Sequence, residues 1–170
     1  MVGMGCSLLG LTPPASIPPA TKIDGPCYRA LLTDSHFPHM AALAAKGGQT
    51  GKWISQQDNA PARTGGEVKA WLLSHMHKML DPWPACSPDL AVLDYSVWSI
   101  LAQWVDDDVR EQNISTEVGL KLAVRAAVRK LSADMPLVER CVMDFPRRVR
   151  ACIDAEGGHF EHKEQKKRAS

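Results

Sequence analysis

The sequence contains no CxxC pair, no apolar run approaching the length of a membrane span, and no marked excess of either charge. Each absence narrows the field. Five cysteines, Cys6, Cys27, Cys86, Cys141 and Cys152, are scattered and odd in number. They indicate neither a zinc knuckle nor a disulfide scaffold, and read as reduced, mostly buried thiols of an intracellular protein. A spanning helix needs about 20 consecutive apolar residues, so no membrane association is expected. A formal net charge of +1 argues against binding nucleic acid by overall attraction, so any such contact must come from local basic patches. The opening MVGMGCSLLG has no basic residues ahead of its apolar ones and reads as a buried strand, not a signal peptide. Asn113-Ile114-Ser115 matches the glycosylation pattern, but without a secretory signal it reads as a polar loop.

What is present is ordinary globular material: 45% apolar residues over 170 positions, enough for one domain with a core. Met1 to Leu11 reads as a strand, and the prolines at 13, 14, 18 and 19 leave room for a short strand at Ala15 to Ile17. Pro26 to Ala45 has helical spacing strained by Pro38, so two helical pieces are expected, followed by a loop from Lys46 to Gly51. Lys52 to Gln57 reads as a strand ending at Asp58. Thr64-Gly65-Gly66-Glu67 has the form of a capping box, ahead of a helix with Val68, Trp71, Leu72 and His75 on one face. A short strand follows at His77 to Leu80, then an irregular stretch enforced by Pro82, Pro84 and Pro88.

Val92 to Val105 is expected to be a helix striped by Val97, Trp98, Leu101, Trp104 and Val105 and ended by Asp106-Asp107-Asp108. Thr116 to Leu131 forms another, with Leu120, Val124, Ala127, Val128 and Leu131 on one face. Leu137 to Ile153 breaks near Pro146, and residues 161–170 form a basic disordered tail. Strands alternating with helices predict a mixed sheet with helices packed on it.

Two aspartates stand out. Asp94 precedes Val97, Trp98 and Leu101 by three, four and seven positions, which puts it on their face of the helix. An acid in a first helical turn suits the helix dipole, yet one on a core-facing stripe needs a partner or a cation. Asp58 follows a strand. An Asp-Asn pair there commonly makes a turn, but the carboxyl end of a strand is also where α/β folds place ligands. The residues alone leave both readings open.

QQDNAPAR (Gln56 to Arg63) followed by WPACSPDLAVLDYSVW (Trp83 to Trp98) resembles the catalytic core of mariner-type transposases, members of the DDE transposase/integrase superfamily. Residues 59 to 93 separate the two aspartates, close to that family's usual interval. The opening MVGMGCSLLGL, the segment KIDGPCYRALL and the close FPRRVRACIDAEGGHFEH are similar to later core strands, a connecting helix and the C-terminal end, so the resemblance covers nearly the whole chain. It implies a ribonuclease-H-like α/β fold, here over residues 1–160, whose mixed sheet is flanked by helices and lacks its first strand. It further implies three carboxylates holding two Mg2+ or Mn2+ ions for DNA cleavage and strand transfer. Asp58 matches the second carboxylate and Asp94 the third. The first belongs to the strand ahead of the segment matching Met1 to Leu11, and Asp24 and Asp34 do not replace it.

The resemblance therefore implies catalytic and metal-binding roles for Asp58 and Asp94, weak binding of Mg2+ or Mn2+ by two carboxylates, and little activity from this polypeptide alone. It implies DNA as partner, leaves a homodimer open and calls for no small-molecule cofactor, and the expected site is intracellular, nuclear or cytoplasmic. The family's helix-turn-helix region has no counterpart here. Arg63 stands where the family has histidine, and Ala91-Val92 where it has Asn-Pro. The alternative from another class is a non-enzymatic nucleic-acid-binding or assembly protein of transposon origin.

Other groups carry less. His36 with His39, His75 with His77, and His159 with His162 read as surface or helix-end histidines. Trp71, Trp98 and Trp104 read as core. Arg147, Arg148, Arg150 and Lys163 to Arg168 read as solvated faces.

Overall fold

A computed structural model describes residues 2–76 and 78–161. Its first element is a hairpin where the sequence suggests one strand from Met1 to Leu11. Val2–Gly3 (β1) pairs antiparallel with Ala15–Ser16 (β4), and Cys6–Ser7 (β2) with Gly10–Leu11 (β3). The chain reverses at Leu8-Leu9, where the Ser7 hydroxyl accepts the Leu9 N–H and Gly10 takes φ +128°, a conformation open to glycine. Two residues, Met4 and Gly5, oppose three on the return strand, Thr12 to Pro14. This is a bulge, sited where Pro13 and Pro14 have no N–H to give the ladder. Thr12 closes the gap: its N–H donates to Gly5 O, and its hydroxyl accepts the Gly5 N–H at 2.7 Å.

The two helical pieces expected after Pro26 are one continuous rod. Gly25–Leu31 (α1) runs through a π-helical turn at Leu32–His36 into Phe37–Lys46 (α2). Pro38 would clash with the carbonyl four residues back in a regular helix, and the widened turn ahead of it takes up the strain. Asp24 caps α1 by accepting the Cys27 N–H. His36 is buried, against the surface reading, with its Nδ1 3.2 Å from the Thr12 hydroxyl. Burial holds its pKa below the ordinary histidine value, with His39 and Arg63 adding to the effect.

Ile54–Ser55 (β5) and Lys78–Met79 (β6) pair in parallel, linked by Pro61–Thr64 (α3) and Gly66–His75 (α4). His77, with which the second strand was expected to begin, lies outside the described residues, as do residues 162–170 of the expected tail. No capping box forms. Thr64 is the last residue of α3, its hydroxyl donates back to Pro61 O, and Gly65 heads α4 without a side-chain cap. Val68 and Leu72 bury against Tyr28, Leu32 and Met76, while Trp71 and His75 stack outside on Phe37. α1 lies so close to α4 that a Cβ at Gly25 would sit 2.7 Å from Val68 Cγ2.

Trp98–Glu111 (α5) follows a second π-helical turn at Leu93–Val97. The helix passes straight through Asp106 to Asp108, of which Asp106 and Asp107 are exposed and Asp108 is half-buried. It ends instead at Asn113, whose φ of +51° turns the chain so that the Ile114 N–H reaches Val109 O. Glu117–Ala133 (α6), capped by Thr116, packs on α5 through Ala123, Ala127, Val128 and Leu131, and leaves Leu120 exposed. Met135–Met143 (α7) and Phe145–Asp154 (α8) part at Asp144, as Pro146 requires.

Arg148 is no solvated side chain. It is 14% exposed, donates to Asp144, Asp89 O and Glu161, and lies 4.2 Å from the centre of the Tyr95 ring. Hydrogen bonds from Arg147 and Arg148 hold the Asp144 carboxyl below the usual carboxylate range, against burial. A depressed folded-state pKa means that its stabilisation is complete above the ordinary carboxylate range and is lost as pH falls through the lowered value. Asp144→Asn is expected to cost about 1–3 kcal/mol at neutral pH. The cost should shrink toward zero in strong acid, as read by urea melts across pH.

Candidate functional site

Asp58 leaves the carboxyl end of β5, and Asp94 sits in the π-helical turn that leads into α5. The structure brings both to one pocket of about 390 Å3, walled by Asn59, Trp83, Cys86 and Pro88. The proline-enforced stretch forms the far wall, and Asn59 holds it by donating from Nδ2 to Trp83 O at 2.7 Å. Neither Asn59 nor Trp83 stood out in the sequence as a site residue, although the irregular run from Pro82 to Pro88 marks where a wall can form.

Asp94 does not point into the core as its spacing suggests; it is exposed toward this pocket. A π-helical turn takes up one residue more than an α-helical one. Leu93, four residues ahead of Val97, still packs on the cluster of Val97, Leu101 and Val105, while Asp94 is turned away from it. Its pKa is raised, first by partial burial and then by the charge of Asp58, while Arg63 opposes the rise. The two carboxylates thus feel each other across the pocket, and a cation between them would relieve that repulsion.

Asp58 also makes the turn expected of an Asp-Asn pair. Its Oδ1 accepts the Ala60 N–H and the Arg63 guanidinium, each at 2.9 Å. With side chains 30% and 53% exposed, the Arg63–Asp58 ion pair stabilises by at most about 1 kcal/mol. The Arg63 guanidinium carbon lies 5.3 Å from the centre of the Tyr28 ring, and the Tyr28 hydroxyl donates to Gln57 Oε1 at 2.6 Å. Asp24 and Asp34 lie away in α1's cap and the first π-helical turn.

Among the described residues, no group of three or more His, Cys, Asp or Glu side chains is arranged to hold a metal ion. Two hard oxygen donors of like charge on one pocket still fit a divalent cation that completes its shell with water. His39 and His75 do not join this site; they bond to backbone carbonyls of their own helices. No described helix is long and apolar enough to cross a membrane.

No family model matches the chain. The Tcb1 transposable-element transposase of Caenorhabditis briggsae is 35% identical over 105 residues, covering 62% of this chain and 36% of that protein. The chain thus spans little more than a third of that relative's length. The catalytic domain of Mos1 mariner transposase shares the fold with a TM-score of 0.65, over 91% of this chain and 72% of that one, at 23% identity. That Mos1 domain is also known with raltegravir and Mg or Mn. The Mos1 transposase paired-end complex with the left transposon end gives a TM-score of 0.70, over 92% of this chain and 43% of that one, at 21% identity. The ribonuclease-H-like α/β architecture that the resemblance implies is therefore present, and the chain is similar in sequence to a transposable-element transposase and in fold to the catalytic domain of Mos1 mariner transposase.

Proposed function

We propose that Asp58 and Asp94 are two of the carboxylates of a metal-dependent DNA cleavage and strand-transfer centre. The observation that carries the reading is their convergence on one pocket from β5 and the head of α5. When bound, Mg2+ or Mn2+ would activate an attacking water or 3′-hydroxyl and stabilise the leaving oxygen of a phosphodiester. Asp58 and Asp94 would hold the ion, and the Asn59 bond to Trp83 O would keep the pocket's two walls in register. DNA is the partner this reading assigns, the compartment is nuclear or cytoplasmic, and a homodimer stays open.

The fold supports the idea that the sheet is short of a strand. Its described strands form three separate pairs, and β5 is bonded to β6 alone. A groove of about 680 Å3 separates β1 and β2 from β5, and both aspartates line it. A strand laid there would join the pairs and bring a third carboxylate within reach of the first two.

With two carboxylates, Mn2+ should bind only weakly to the 170-residue polypeptide, and Mn2+-dependent nicking of supercoiled DNA should stay near background. Asp58→Ala and Asp94→Ala should each weaken Mn2+ binding in calorimetry. Robust turnover that dies on Asp58→Ala would show that the polypeptide is catalytically sufficient. The pairing of Asp58 with Arg63 favours the non-enzymatic alternative, and salt-sensitive DNA binding with Mn2+ binding indifferent to both substitutions would establish it.

A further inference from the structure

Asp58, Arg63 and Asp94 line one groove, and Arg63 already neutralises the carboxylate that a cation would use. Its Nη1 lies 2.9 Å from Asp58 Oδ1, the oxygen that also accepts the Ala60 N–H. Three parts of the fold hold it there: α3 carries it, the Tyr28 ring of α1 lies under it, and Gln57, two residues past β5, accepts from the Tyr28 hydroxyl.

We propose that Arg63 is a built-in counter-cation of Asp58, which competes with a divalent ion and must be displaced before Asp58 and Asp94 can share that ion. The inference rests on reading these aspartates as a metal pair. A guanidinium stays charged at every accessible pH, whereas a histidine at this position would be neutral above about pH 6.5. Arginine at 63 therefore biases the pocket toward its metal-free form under all conditions. Because Tyr28 pre-orders the side chain, little rotamer freedom is lost in making the contact.

Mn2+ binding, followed by the paramagnetic resonance of free Mn2+, tests this on the intact chain. Arg63→Gln is expected to bind Mn2+ about 3–10-fold more tightly than wild type, the effect of removing one partly screened positive charge. Arg63→Lys keeps the charge and should stay near wild type, and adding Asp58→Ala to Arg63→Gln should abolish the gain. An Arg63→Gln chain that binds no more tightly, while Asp58→Ala and Asp94→Ala weaken wild-type binding, overturns the inference and leaves the metal pair standing. Binding indifferent to both aspartates overturns the two together. Should Arg63→Gln fail to fold, Mg2+ titration of the wild type is decisive. The Arg63 Nε–H resonance should move at the Mg2+ concentrations that move Asp94, and a stationary signal sinks the proposal.

Discussion

Grafting an extended apolar segment that carries an aspartate ahead of Val2 is expected to turn a weak Mn2+ binder into a chain that nicks DNA. The sheet's strand pairs enclose a groove running from Val2 and Cys6 on one side to Ile54 and Gln56 on the other, ending at Asp58 and Asp94. A strand in that groove meets unpaired backbone on β5, and each hydrogen bond it makes fixes its register. Residues pointing to alternate faces then place one side chain in two on the aspartate side. On the proposed reading, a third carboxylate added there would supply the remaining ligand of a two-ion centre.

In the grafted protein, Asp58→Asn or Asp94→Asn should each cost on the order of 10²–10³ in cleavage rate, the usual loss when one preorganised charge facing the transition state is removed. Two readouts separate folding from chemistry. Hydrogen exchange at the amides of Ile54 to Gln57 should slow once the strand pairs, and the nicking rate should rise with it. Slowed exchange without any gain in cleavage would sink the two-ion reading; cleavage that survives Asp58→Asn would sink the assignment of Asp58.

Much of this site is legible in the sequence because its parts are local. QQDNAPAR and the run from Trp83 to Tyr95 each fix a carboxylate beside turn-forming prolines, and the pocket is where those turns meet. What escapes is non-local or a matter of helical phase. Two π-helical turns, at Leu32–His36 and Leu93–Val97, leave no mark in a pattern of period 3.6. The second of them moved Asp94 from the expected core face into the pocket. Arg148 reads as one of several arginines on a polar face, and the features that bury it (Tyr95, Asp89 and Glu161) come from distant parts of the chain. The hairpin from Val2 to Ser16 was hidden because its turn is Leu-Leu, without the Asn-Gly or Asp-Gly that usually announces one. Thr64 failed as a cap because Pro61 starts a helical turn of its own, which takes Thr64 before α4 can use it.

Leu131→Ala is expected to be among the most destabilising single truncations in the chain, costing about 2–5 kcal/mol. Leu131 is fully buried and belongs to the cluster that joins α5, α6 and α7 to Met4 and Leu11 of the hairpin. Its removal leaves a cavity bounded by helices that cannot close on it without tilting, since Val97, Leu101 and Val138 are themselves almost completely buried. For a domain of this size, each kcal/mol lowers the melting midpoint by about 2–4 °C, so a fall of roughly 4–20 °C should appear in calorimetry. Leu122 supplies the control, being the same residue type on the same helix but 57% exposed; Leu122→Ala should change stability by no more than about 0.5 kcal/mol. Equal effects at the two positions would mean that α6 does not present the Ala127, Val128 and Leu131 face to α5. The head of α5 would then lack the support that holds Asp94 opposite Asp58. Stability of this cluster and Mn2+ affinity should accordingly fall together in Leu131→Ala, with wild-type affinity kept in Leu122→Ala.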